Sequence, residues 1–262
     1  VEQPSLVCAT FARAPLVDGD PLPLLWHWAH FDARVPTSGL GPDGHPHVGG
    51  ELAERYPRRM WASGSVKAAA PLRVGRPVER RSRVARTKTS EGRSGSLLIV
   101  EVEHTYHQDA EQRLHERQTL VYRTPGPPAA LPEGRLDPAP GAGEWSDELT
   151  VDPVLLFRFS AITFNSHRIH YDPTYATQVE GYPALVVHGP LTATLLCDAI
   201  ADHAGRAVTR FEFRANAPLF AGLPFALVGG ADGDDVSARV VRNDGTEAVT
   251  ATARLGDPVG RP

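Results

Sequence analysis

Two histidines three residues apart, His167 and His170, sit in the run Phe164-Asn165-Ser166-His167-Arg168-Ile169-His170-Tyr171-Asp172. A third, His188, directly precedes Gly189 and Pro190. An imidazole titrates near neutrality, so it can both take and give a proton. A metal site built on His167, His170 and Asp172 lacks the H-E-x-x-H spacing of helical zinc pairs and has no cysteine nearby, so no metal is expected. A purely structural role, in which these side chains satisfy loop backbone groups, is the plain alternative. The chemical reading is acid–base work beside a helix start. Backbone N–H groups at a helix N-terminus are unpaired, with the positive end of the helix dipole behind them. At Gly189 they form an oxyanion site, and glycine lets a ligand approach the backbone closely. One such donor is typically worth about 10²–10³ in rate. No G-x-S-x-G occurs, so a serine nucleophile has no support.

These residues need elements to hold them. The stretch 190–204, PLTATLLCDAIADHA, places Leu191, Leu195, Leu196, Ala199 and Ile200 in an apolar stripe at helical spacing. Pro190 suits the first turn and Gly205 the C-terminal cap. Around it the chain repeats itself. Ala70-Pro71-Leu72-Arg73-Val74-Gly75-Arg76-Pro77 and Ala217-Pro218-Leu219-Phe220-Ala221-Gly222-Leu223-Pro224 both read A-P-L-x-x-G-x-P. Each copy leads into a β meander. The first has a strand over 97–106, a polar break over 108–113 and a strand over 118–122. The second has strands over 236–242 and 249–255, joined at Asn243-Asp244-Gly245, a strong hairpin signal. Residues 125–143 are rich in Pro and Gly and read as a linker. The expected division is a domain over 1–124, the linker, and a domain over 144–262, both α+β. In the first half, 24–31 reads as a short buried helix and 40–56 as a long loop of the kind that often serves a site.

Composition narrows the class. The 262 residues are 41% hydrophobic, enough for one or two cores, and the net charge of −4 shows no basic excess for nucleic acid or a membrane surface. No apolar run is long enough to span a bilayer. Cys8 and Cys197 make neither a metal spacing nor a disulfide framework. With no secretion leader evident in the first residues, a cytoplasmic protein without a cofactor is expected.

The run 159–172 resembles the hydratase motif of the MaoC-like hot-dog proteins, and Gly181-Tyr182-Pro183-Ala184-Leu185-Val186-Val187-His188-Gly189-Pro190-Leu191 resembles the segment after that motif. The likeness is greatest to the double hot-dog branch of mesaconyl-C4-CoA and itaconyl-CoA hydratases and type 2 hydroxyacyl-thioester dehydratases. Trp26-His27-Trp28, Gly41-Pro42-Asp43-Gly44-His45-Pro46 and Arg58-Arg59-Met60-Trp61-Ala62-Ser63-Gly64 look like that branch's N-terminal domain. The resemblance spans roughly residues 15–255. It implies a double hot-dog: two antiparallel sheets forming one continuous surface, each wrapping a central helix. It also implies an acyl thioester substrate, on coenzyme A or an acyl carrier protein, and leaves a homodimer open.

The family motif is G-D-x-N-P-I-H. Laid on this chain, Phe164 stands for its Gly, Asn165 for its Asp, His167 for its Asn, Arg168 for its Pro and His170 for its His. Gly189 matches the glycine whose N–H binds the thioester oxygen. The catalytic set implied is His170, Asn165 and Gly189. Asn165 stands where the family keeps an acid, and an amide orients a nucleophile without taking its proton. Either His170 works alone or Asp172 assists it. The nucleophile is then water first, or the amine of an amino acid co-substrate such as glycine. Thioester hydrolysis and acyl-thioester binding without turnover complete the alternatives. Arg58, Arg59 or Arg168 would hold a second carboxylate. His167, Asp172 and His188 complete the candidate substrate-binding set, and His45, His47 and Tyr56 would reach the site from the N-terminal loop.

Overall fold

A computed structural model describes residues 2–31, 35–46, 55–92 and 95–257. The chain opens with helix α1 (Glu2–Thr10) and a 3-10 turn at Trp26–Ala29. Strands β1 (Arg58–Ala68), β2 (Glu79–Gly92), β3 (Gly95–Gln108) and β4 (Glu111–Arg123) complete the first half. The second half comprises β5 (Trp145–Thr150), α2 (Pro153–Ile162), α3 (Gly189–Ala204), β6 (Val208–Ala215), β7 (Pro224–Asp232), β8 (Asp235–Arg242) and β9 (Glu247–Leu255). Residues 124–144 contribute neither strand nor helix. No helix among the described residues is long and apolar enough to cross a membrane.

The nine strands of the described residues form one antiparallel sheet, ordered β2-β3-β4-β1-β6-β9-β8-β7-β5. The halves meet where β1 pairs with β6, from Ser63↔Arg214 to Lys67↔Arg210. The α+β hot-dog class expected from the resemblance is what the chain adopts. The hairpin at Asn243-Asp244-Gly245 forms, with Gly245 at φ 79°. The polar break expected over 108–113 is tighter. Asp109 and Ala110 turn the chain alone, both at positive φ, as a two-residue hairpin requires.

Helix α3 forms as its pattern predicts, starting one residue early at Gly189 and capped by Gly205 at φ 60°. It packs against β6–β9. Leu191, Leu196, Cys197 and Ile200 bury against Phe211, Leu227, Val240 and Val249. Helix α2, unmarked by any strong stripe, begins where Asp152 accepts a hydrogen bond from Leu155 N at 2.8 Å with Pro153 behind it.

The repeat is structural. Leu72 and Leu219 are both buried, and Gly75 and Gly222 both turn the chain at φ +80°. The residue after each Leu makes the same isolated bridge, Arg73 to Pro21 and Phe220 to Val186. Beyond the bridge partner the two halves part. Val186 leads into the 16 residues of α3, whereas Pro21 leads into a 3-10 turn of 4 residues. The expectation that each half wraps a central helix is therefore met by α3 in the second half. Among the described residues of the first half, that short turn stands in the helix's place.

Candidate active site

A cavity of about 810 Å³ opens beside the shortened turn, walled by Trp28, Trp61 and Tyr106 from the first half and by Phe159, Asn165 and Pro190 from the second. Its floor is a buried polar knot. The Glu116 carboxylate is wholly enclosed and accepts from Trp28 Nε1 (2.8 Å), Tyr106 OH (2.6 Å) and Gln118 Nε2 (2.7 Å). His27 Nε2 lies 3.1 Å from it. Burial opposes the charge, but these groups outweigh burial and hold Glu116 down to about 2. The knot fixes the rotamers of three cavity residues: Trp28, Tyr106 and Gln118.

The histidine-rich motif leaves α2 through a sharp turn. Phe164 takes φ 48° and Asn165 N donates to Ser160 O at 2.8 Å. The Asn165 side-chain oxygen then accepts from His167 N at 3.0 Å. A 3-10 turn, Arg168–His170, presents His170. Its Nδ1 is 2.7 Å from the carbonyl of Val186, which only accepts, so the proton sits on Nδ1 and Nε2 carries a lone pair. Burial lowers the His170 pKa to about 4, with the Val186 bond acting in the opposite direction.

The expected residues divide between the cavity wall and the layer behind it. Asn165 and Arg168 line the wall, while His167 and His170 lie behind it, each more than nine-tenths buried. The His188 ring is fully enclosed and stacks on His170, with centroids 3.6 Å apart. Gly189 begins α3 with no side-chain cap, and a Cβ added there meets nothing within 4 Å. Its N–H, in the first turn of the helix, has no acceptor within the helix. From the first half, His45 reaches the motif, with its ring 4.2 Å from that of His167. Burial, with the Arg59 charge second, holds His45 down to about 3. Burial also keeps His167 and His188 far below their ordinary range. His47 lies outside the described residues.

The approach of the two halves is close. Arg168 N donates to Asp43 O at 2.9 Å, and Ser166 Oγ to Gly44 O at 2.5 Å. A Cβ on Gly44, at φ +86°, would sit 1.9 Å from Ser166 O. That position admits only glycine without a shift of backbone.

The three arginine candidates separate by their partners. Arg58 pairs with buried Glu180 at 3.2 Å. Arg168 pairs with Asp172 at 2.8 Å and lies over the Tyr175 ring. Arg59 lines the cavity and, among the described residues, faces no carboxylate. Its charge bears on His45 and His167, which puts it near the chemical cluster. Arg80 also lines the cavity and gives Nη1–H to Phe31 O, and no Asp or Glu appears among the described residues of the wall. Asp172 is spent on Arg168 and on Tyr175 N rather than on His170. Tyr56 is buried with its hydroxyl against Ser96 Oγ, away from the cavity lining. Among the described residues no three His, Cys, Asp or Glu are placed to hold a metal ion.

Sequence reasoning passed over Glu116. The signal was present: Leu114, Glu116, Gln118 and Leu120 alternate on one face of β4, and the two leucines are buried.

Comparison with known proteins agrees with this geometry. The family model for hydroxyacyl-thioester dehydratase type 2 matches residues 25–221. A mesaconyl-C(4)-CoA hydratase of Chloroflexus aurantiacus is 43% identical over 244 residues, covering 93% of this chain and 86% of the relative. A mitochondrial hydroxyacyl-thioester dehydratase type 2 of Schizosaccharomyces pombe is 27% identical over 77% of this chain and 75% of its own length. Among solved structures, HtdX of Mycobacterium tuberculosis superposes with a TM-score of 0.67 at 19% identity, over 97% of this chain and 95% of that one. A MaoC-like dehydratase of Phytophthora capsici reaches 0.70 at 15% identity, over 98% and 93%, and these two likenesses carry the fold. The chain belongs to the hydroxyacyl-thioester dehydratase type 2 family and is a hydro-lyase of acyl thioesters.

Proposed function

We propose that this protein adds water to the β-carbon of an enoyl thioester, and removes it in reverse, with His170 as the single proton carrier. The observation that carries this is the His170 tautomer. With Nδ1 committed to Val186 O, a neutral Nε2 is available as a base at ordinary pH. A water gives its proton to Nε2 while its oxygen bonds the β-carbon. The alkene pair moves to the α-carbon and the thioester, where Gly189 N–H meets the developing oxyanion. His170 then returns the proton to the α-carbon. The Asn165 amide oxygen is already occupied by His167 N. Its NH₂ is the part left to hold the water, and Asp172, paired elsewhere, plays no part in the proton transfer.

Arg59, which lines the cavity and faces no carboxylate among the described residues, supports a finer reading, a substrate with a second carboxylate near its β-carbon. The name of the Chloroflexus aurantiacus relative, a mesaconyl-C(4)-CoA hydratase, is in keeping with that. The test supplies crotonyl, fumaryl and mesaconyl thioesters of coenzyme A, each with and without glycine, and follows loss of enoyl absorbance. Turnover of the two dicarboxylic thioesters without glycine is expected, at a kcat/KM about tenfold or more above crotonyl. Arg59→Met should erase that preference through KM. No turnover in any combination would sink the hydration reading, and dependence on glycine would replace water by an amine. Release of free thiol without hydration would point to a thioesterase.

A further inference from the structure

Ser160 is a polar group of the cavity wall that the proton transfer does not use. It lies in the last turn of α2 and is 8% exposed. Its Oγ is 2.8 Å from Nε2 of His188. The His188 ring is stacked on His170 on one face and meets the edge of Phe159 at a centroid distance of 5.0 Å. Enclosed in this way the imidazole is neutral and carries one N–H.

The position of that proton decides what Ser160 can do. Nδ1 of His188 is buried without a partner. A proton there would be an orphaned donor, at a cost of about 1–3 kcal/mol. A proton on Nε2 is donated to Ser160 Oγ instead, and only a lone pair is left unmatched. Ser160 then accepts from His188 and keeps its own O–H. Helical hydroxyls often return that proton to the carbonyl one turn back, as Thr163 does to Phe159 O at 2.6 Å. Ser160 makes no such bond: its hydroxyl meets only His188 among the described residues. The O–H is free to point into the cavity. The same tautomer removes Ser160 as a nucleophile, because His188 turns an N–H, not a lone pair, toward Oγ.

We propose that Ser160 Oγ–H donates to the thioester carbonyl oxygen as the second member of an oxyanion site, with Gly189 N–H as the first. His188 is the positioning residue for both. Its backbone is the N-cap that leads into Gly189, and its side chain sets the direction of the Ser160 hydroxyl. The room beside Gly189, where an added Cβ would meet nothing, is where the carbonyl oxygen sits. No proton moves along this bond. It strengthens as the carbonyl gains enolate charge, so it acts on the transition state more than on binding. The assignment rests on the enoyl-thioester reading of the site.

The test separates carbonyl polarisation from turnover. An enoyl thioester is bound to the His170→Ala protein, in which addition is stopped, and the bound C=O stretch is recorded by Raman difference spectroscopy. A lowered stretch is expected, returning most of the way to the free-ligand value in Ser160→Ala/His170→Ala and in His188→Phe/His170→Ala. In the protein with His170 intact, Ser160→Ala should lose about 10²-fold in kcat with KM changed by less than about threefold. Ser160→Cys, close in shape with a weaker donor, should fall between, and supplies the reading where the alanine variant folds poorly. A bound carbonyl unaltered by loss of the hydroxyl would overturn the proposal even if activity fell, as would a Ser160→Ala kcat equal to the original. A Ser160-dependent carbonyl shift in a protein that hydrates none of the thioesters would support this assignment and count against the hydration reading instead.

Discussion

The two halves share an eight-residue pattern and the bridge it makes, yet they use the space beyond it differently. In the second half Val186 leads into α3, whose buried stripe anchors the segment that carries His188, Gly189 and, through the Val186 carbonyl, His170. Among the described residues of the first half the matching place holds a 3-10 turn of 4 residues, and the cavity opens beside it. There the Glu116 knot locks the walls by hydrogen bonds. The difference teaches that one half supplies rigid chemistry and the other supplies room.

Three experiments press on that division. The largest effect is expected from His170→Ala, which removes the proposed proton carrier of the rigid half. A kcat/KM lower by about 10²–10⁴ is expected with an unchanged circular dichroism spectrum. Full activity would remove His170 from the mechanism. Glu116→Gln in the roomy half should act the other way round. Turning one acceptor oxygen of a buried, four-donor carboxylate into an NH₂ should lower stability by about 3 kcal/mol, a Tm lower by about 6–12 °C, while kcat changes far less. A kcat loss matching that of His170→Ala would abolish the contrast between the halves.

The smallest effect of a single substitution is read through pH. His170, His45, His167 and His188 are all held below their ordinary pKa by burial. The unfolded chain therefore binds more protons than the folded one as pH falls below about 6.5, and stability drops. Each such histidine contributes a slope of about 1.4 kcal/mol per pH unit, down to about pH 4 for His170. Denaturant titrations at pH 7, 6 and 5 should show the decline, and His45→Phe should make it shallower. A flat profile would mean that these rings are solvated.

The sequence was legible where the signal is local. The stripe of α3 with Pro190 and Gly205, the Asp244-Gly245 hairpin and the paired A-P-L-x-x-G-x-P copies all depend on near neighbours, and each formed. What depends on distant partners was not legible. Arg58, Arg59 and Arg168 look alike in the chain, and only Glu180 and Asp172 in space separate two of them from the third. The fate of Tyr56, tied to Ser96, was hidden for the same reason. The shortened helix was half visible, since 24–31 reads as a brief buried helix, but its consequence needed the cavity to be seen.

The seam between β1 and β6 has a consequence for symmetry. Two copies of a single hot-dog chain, joined in the same way, would carry every substitution twice. A 3-10 turn in place of α3 on one side would be a 3-10 turn on the other, and the histidine centre would lose its support. With both halves on one continuous strand order, each is free to depart from its twin. Among the described residues the outcome is a long central helix in the second half, a chamber beside the first and a histidine centre between them, an asymmetry that a symmetric pair cannot reach.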